Sequence, residues 1–172
     1  MLRRLAAALA MAAAACATLP PEHAAPVLSA VPSSFAVSGR IAIRQDQKSE
    51  IAKLRWTREA GADVWIISSP LGNEVARIES GARGATLTRA GGAPEHAQSF
   101  QALTESLLGV ALAPDDVAAW LHGEKPRAGG GWIVTIDETQ PAGKVTLARR
   151  VTAQRGDIVV RLVIDDYQAL GR

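Results

Sequence analysis

The chain has 172 residues, 48% hydrophobic and 21% charged, which suits one globular core and excludes a disordered chain. No apolar run reaches the roughly 18 residues of a spanning helix, so a polytopic membrane protein is excluded. The pI of about 9.0 is not a case for nucleic acid: without Arg3 and Arg4, which lie in a segment expected to be removed, the remaining Lys and Arg equal the 17 Asp and Glu.

Residues 1–15 read as a secretory signal peptide: two arginines, an apolar run from Leu5 to Ala14 too short to span, and a small-residue end. The chain's one cysteine, Cys16, follows Ala13-Ala14-Ala15 directly and can form no internal disulfide. This resembles the lipobox of bacterial lipoproteins, in which the cysteine becomes the acylated first residue, although Ala13 stands where that motif usually has leucine. Ala17 behind it resembles the sorting pattern that permits transfer to the outer membrane. The alternative is an ordinary cleavage site with an incidental cysteine. Residues 16–34, with Pro20, Pro21, Pro26 and Pro32, read as an extended tether, leaving residues 35–172 as a single domain.

Along that domain, Phe35, Val37, Ile41 and Ile43 share one parity against Ser38, Arg40 and Arg44, which predicts a half-buried strand. After a polar turn near Gln45 to Lys48, Ala52, Leu54 and Trp56 alternate with Lys53, Arg55 and Thr57. Trp65 to Ser68 is a third strand, Ala76 to Glu79 a fourth and Ala85 to Arg89 a weaker fifth. The period then changes: Phe100, Leu103 and Leu107 recur at helical spacing between Ser99, a candidate N-cap, and Gly109, a stop. A second short helix begins at Pro114 with Asp115 and Asp116 in its first turn, buries Val117, Trp120 and Leu121, and ends at Gly123. Strand patterning returns with Trp132, Val134 and Ile136, then Val145 and Leu147, then Ile158, Val160, Leu162 and Ile164. Strands with distinct faces imply an antiparallel sheet, and helices between them must cover its apolar side. The expected fold is mainly β: an open antiparallel β-barrel, a half-barrel, with short helices packed into its opening. The inward parity set is Val37, Ile41, Ile43, Leu54, Trp56, Trp65, Ile67, Ile78, Trp132, Val134, Ile136, Leu147, Val160 and Leu162.

Chemistry-bearing constellations are absent from the pattern. His23 falls in the tether, and His96 and His122 are expected as solvated loop or helix-end residues with no metal-binding companion. Gly129-Gly130-Gly131 precedes a strand rather than opening a helix, so it reads as a hairpin turn and not a phosphate loop. Asp115-Asp116 suits a helix N-terminus and Asp165-Asp166 a strand end. The reading is a protein that is not an enzyme and takes no cofactor and no metal.

Phe35 with Ser38-Gly39-Arg40, Trp56, Ser69-Pro70-Leu71-Gly72, Leu107-Leu108-Gly109, Trp120-Leu121-His122-Gly123, Trp132 and Arg161-Leu162-Val163-Ile164-Asp165 occur in an order that resembles the LolB family of outer-membrane lipoprotein receptors, over nearly the whole mature domain. Residues 124–131 are shorter than the corresponding family loop. The resemblance implies a LolA/LolB-like open barrel whose concave face, lidded by helices, forms a hydrophobic cavity for acyl chains. On that basis Ile41, Leu54, Trp56, Trp65, Ile67, Ile78, Leu103, Trp120, Trp132, Val134, Leu147 and Leu162 are its candidate lining. It also implies a task without ATP: accepting lipoproteins from the soluble periplasmic carrier LolA and inserting them into the outer membrane. The implied partners are a LolA-like carrier, lipoprotein acyl chains and the inner leaflet of that membrane, with the chain acting as a monomer, anchored through Cys16 on the periplasmic face. The family also implies a membrane-inserting loop, here Pro70, Leu71 and Gly72. Two other readings stay open: a soluble carrier of the LolA type, and a structural envelope lipoprotein with a packed core and no cargo.

Overall fold

The computed structural model describes residues 30–81, 83–123, 130–143 and 145–171. The signal segment, Cys16, His23, most of the tether and Gly129 lie outside the described residues. Within them the alternating stretches form β1 (Phe35–Gln45), β2 (Lys48–Glu59), β3 (Ala62–Ser68), β4 (Glu74–Gly81), β5 (Gly84–Arg89) and β6 (Glu95–Ala97). Helices α1 (Phe100–Leu108) and α2 (Pro114–Leu121) follow, then β7 (Ile133–Ala142), β8 (Val145–Arg155) and β9 (Ile158–Ala169). β6 is a three-residue edge strand without a period of its own, and only its pairing with β5 defines it.

Among the described residues the strands form one antiparallel sheet in the order β6-β5-β4-β3-β2-β1-β9-β8-β7. A meander leads outward from β1 to the β6 edge. The chain then crosses the concave face through both helices, and the last three strands return from the β7 edge to pair with β1. Tight turns keep neighbouring strands in register; at the β2–β3 turn Ala60 and Gly61 take φ of 47° and 83°, the doubly left-handed geometry that matches strand twist. At Gly39 the sheet leaves no room for a side chain: a Cβ there would lie 2.1 Å from the Val163 carbonyl oxygen, beside the register shift between β1 and β9.

The helix ends follow their sequence signals. The Ser99 hydroxyl accepts a hydrogen bond from the Ala102 amide at 3.2 Å, and Gly109 closes α1 in the left-handed region at φ 72°. Pro114 opens α2 with Asp115 and Asp116 in its first turn. α1 packs over β4, β5 and β6, and α2 over β8.

The core fills the concave side. Phe35, Trp56, Trp65 and Phe100 form a chain of ring contacts with centroids 4.8, 5.5 and 5.1 Å apart, running from β1 to α1. Trp120 meets Trp132 at 5.3 Å and ties α2 to the entry of β7. Each such pair adds about 0.5–1.5 kcal/mol beyond simple burial. The inward parity set joins this cluster, with Val134 and Ile136 packed at its margin, apart from Leu147. That side chain is buried but outside the cluster, where Ala148, Val151 and Ala153 stand instead. The cause is a bulge: Glu138 pairs with Arg150 and Thr139 with Ala148, so Arg149 is skipped and the parity of β8 reverses there.

Two further expectations are corrected. His122 is not solvated; it is 1% exposed and fastens α2 to β9, as described below. Gly130 and Gly131 precede β7, and among the described residues the element before them is α2 rather than a strand, so these two glycines do not form the expected hairpin turn.

Candidate functional site

The end of β1, the start of β2 and the end of β3 lie at the same end of the sheet, and the last turn of α1 lies across them. Between them is a pocket of about 330 Å³, walled by Ile41, Ile43, Ala52 and Ile67 and roofed by Leu107 and Leu108. Glu50, Ile51, Ser68, Ser69 and Val75 form its rim. A more polar groove of about 780 Å³ continues from it under the β1–β2 hairpin, sharing Ile43, Glu50, Leu107 and Leu108. If a methylene takes about the space of a liquid water, roughly 30 Å³, the apolar pocket holds about ten, less than one long acyl chain.

Of the twelve residues read from the sequence as cavity lining, Ile41 and Ile67 face this pocket. Leu54, Trp56, Trp65, Ile78, Leu103, Trp120, Trp132 and Leu162 are packed into the core cluster behind it, Val134 lies at the cluster's margin and Leu147 lies outside it. Ile43, Ile51, Ala52, Val75, Leu107 and Leu108 were missed as apolar lining. The pair Leu107-Leu108 before the Gly109 stop was a usable signal: an apolar residue outside the buried stripe at a helix end points towards a neighbouring surface.

The loop between β3 and β4 begins at the rim of this pocket. The Gly72 amide donates to the Ser69 carbonyl at 2.8 Å, and the Ser69 amide to the Asn73 carbonyl at 2.8 Å. The Asn73 amide also donates to the Ser69 hydroxyl at 3.3 Å. Pro70 supplies the preset φ for the turn's second position, and Gly72 takes φ 98°. The turn is thus held by its own backbone, and Leu71 at its tip is 90% exposed.

α2 is fastened at both ends. Arg58 of β2, 7% exposed, donates to both carboxylate oxygens of Asp63 at 2.8 and 3.0 Å and reaches Asp115 in the first turn of α2 at 2.9 Å. The Trp56 indole donates to the same Asp63 at 2.7 Å. Burial alone pulls the guanidinium pKa down, but Asp63 and then Asp115 outweigh it and hold it above its ordinary value. At the other end, His122 Nδ1 lies 2.7 Å from the Ala118 carbonyl, which can only accept, so that nitrogen carries the proton. In the neutral imidazole Nε2 then accepts from the Tyr167 hydroxyl, 2.9 Å away. Burial pushes the Tyr167 phenol up to about 12. Neither clamp was foreseen from sequence.

A curled antiparallel sheet with helices across its concave face, and an apolar pocket opening beside a loop tipped with an exposed leucine, defines a half-barrel built around an apolar interior. A crystal structure of a DUF1329 family protein from Desulfovibrio piger has the same fold, with a TM-score of 0.55 over 82% of this chain and 88% of that one, at 7% identity. The family model described as outer membrane lipoprotein LolB matches residues 33–130. Curated relatives named outer-membrane lipoprotein LolB include one from an Azoarcus species, 30% identical over 98% of this chain and 97% of its own length. Another, from Thiobacillus denitrificans, is 29% identical over 98% and 99%. The chain belongs to the LolB family of outer-membrane lipoproteins.

Proposed function

We propose that this chain receives lipoproteins from a soluble carrier of the LolA type and places them in the outer membrane, with acylated Cys16 as its anchor, residues 16–34 as its tether and residues 35–172 as the working domain. The observation that carries this reading is the position of Leu71: the loop it tips leaves the sheet through Ser69 and returns through Val75, both on the rim of the apolar pocket. Cargo leaving the pocket there meets the bilayer where the leucine enters it.

A triacylated lipoprotein exposes on the order of forty methylenes, worth roughly 30 kcal/mol in water, so handover must run from one apolar site to another. Room for those chains comes from separating the α1 roof, Leu107 and Leu108, from β1 and β2. Burying one leucine in lipid is worth roughly 2 kcal/mol, a transient foothold.

Leu71→Glu tests the reading. Its side chain touches no core residue, so folding and acceptance from a LolA complex are expected to be normal, while release into liposomes falls because a carboxylate resists entering hydrocarbon. Delivery at the normal rate would remove Leu71 from the mechanism. Failure of the unaltered chain to take cargo from the carrier would favour a structural lipoprotein instead.

A further inference from the structure

The convex face of the sheet carries its positive charge at the level of the Leu71 loop. Register places Lys53, Arg40, Val163 and Arg150 in one transverse row across β2, β1, β9 and β8, and Ile51, Ala42, Arg161 and Thr152 in the next. β3 leaves the sheet right after Ser68, which pairs with Lys53, so the loop projects beside these two rows. Lys53 Nζ lies 3.9 Å from where a Cβ on Gly72 would be, and one surface depression is shared by Arg40, Lys53, Arg55 and Gly72. Arg40 also borders a second hollow, of about 540 Å³, with Arg150, Arg161 and the apolar Ala42, Ile51 and Val163.

Acidic groups answer only part of this charge. Asp165 pairs with Arg40 and Glu138 with Arg150, and Asp137 accepts from Thr152. Lys53, Arg55 and Arg161 have no ion-pair partner among the described residues. With a mature chain near neutrality, this is segregated charge, not an excess spread over the surface.

We propose that this cationic face is a docking surface for anionic phospholipid headgroups, and that it sets the orientation in which Leu71 enters the bilayer. The inference rests on the membrane-entry reading of Leu71 and adds the lipid class it meets. Phospholipid fits better than an acidic protein because the cations sit at the depth of an exposed leucine. They are also interspersed with apolar side chains, Ile51 being 61% exposed. Long basic side chains there reach phosphates while their stems cover hydrocarbon.

The chain's one cysteine makes the test direct. In the full chain carrying Cys16→Ala to prevent acylation, Leu71→Cys is the sole thiol, and a polarity-sensitive dye on it reports entry into the bilayer. Sedimentation of the Cys16→Ala chain with Leu71 intact reports binding. Vesicles of phosphatidylcholine alone are compared with vesicles containing phosphatidylglycerol. Binding and dye entry are expected to be stronger on the anionic vesicles and to fall with added salt. Lys53→Gln with Arg55→Gln, both exposed and without an ion-pair partner among the described residues, is expected to weaken binding to anionic vesicles roughly 20- to 30-fold, at about fivefold per basic side chain. Equal entry into both vesicle types would overturn the headgroup inference and leave the loop reading standing. Entry into neither would overturn both. A double variant that keeps its lipid preference but loses acceptance from the carrier would assign the face to an acidic protein and overturn the proposal.

Discussion

Replacing Asp63 with alanine strands the Arg58 guanidinium. In the native fold Arg58 has two charge-assisted hydrogen bonds to Asp63 and one contact to Asp115. Asp63→Ala removes the first two and also the acceptor of the Trp56 indole, leaving a buried cation whose remaining ion-pair partner among the described residues is Asp115, whose side chain is largely in solvent. Breaking a buried pair from one side costs about 3–5 kcal/mol, and the unpaired indole about 1–3 kcal/mol; because the groups share one carboxylate the two are not summed. The expected loss is about 3–5 kcal/mol, which for a domain of this size lowers Tm by roughly 10–20 °C. Asp115→Ala, which removes only the solvated partner, is expected to cost about 1 kcal/mol or less. Urea denaturation of wild type, Asp63→Ala, Arg58→Met and the double variant closes a thermodynamic cycle. The double variant is expected to recover part of the single losses, since no charge is then buried alone. A loss below about 1 kcal/mol for Asp63→Ala, or additive single losses, would refute the description of this cluster as a coupled buried ion pair.

Gly39→Ala is expected to cost about 1–3 kcal/mol by overpacking, because its Cβ would meet the Val163 carbonyl oxygen at 2.1 Å; an unchanged urea midpoint would contradict the close approach of β1 and β9. Tyr167 is the only tyrosine, so tyrosinate absorbance reads its titration alone. Its folded pKa of about 12 against roughly 10 unfolded leaves stability unaffected below pH ~10 and reduces it between ~10 and ~12, where the unfolded chain loses its proton first, by at most about 2–3 kcal/mol. Tyr167→Phe should abolish that alkaline decline, and a phenol titrating near 10 in the folded protein would disprove it. Leu108→Trp, on the half-buried pocket roof, is expected to reduce binding of a fluorescent fatty acid with little change in Tm; unchanged binding would place the acyl site elsewhere.

Much of this protein is written in local pattern. Alternation at Phe35 to Arg44 and Ile158 to Asp165, the change of period at Phe100, and the Ser99, Gly109 and Pro114 signals all concern residues within a turn or two of each other. Backbone geometry converts them directly into elements and faces. The Pro70-Leu71-Gly72 turn is local too, but pattern alone left its leucine equally a tip in solvent or a side chain folded back onto the rim; the family resemblance favoured the exposed tip that the structure has. Tertiary structure decided what depends on a partner distant in sequence or on one extra residue. The skipped Arg149 turned Leu147 away from the core, and no composition signal marks a bulge. His122 looked like a polar residue at a helix end until Tyr167, 45 positions later, came within hydrogen-bond reach. Arg58 continues the inward parity of Ala52, Leu54 and Trp56 and Asp115 suits a helix N-terminus, but only the packing of α2 against the β2–β3 hairpin brings the two together as a clamp. The pocket follows the same logic: periodicity says which side chains face inward, but whether they meet or leave a space depends on where α1 comes to rest, and that is set by Trp65 and Phe100 meeting across the sheet.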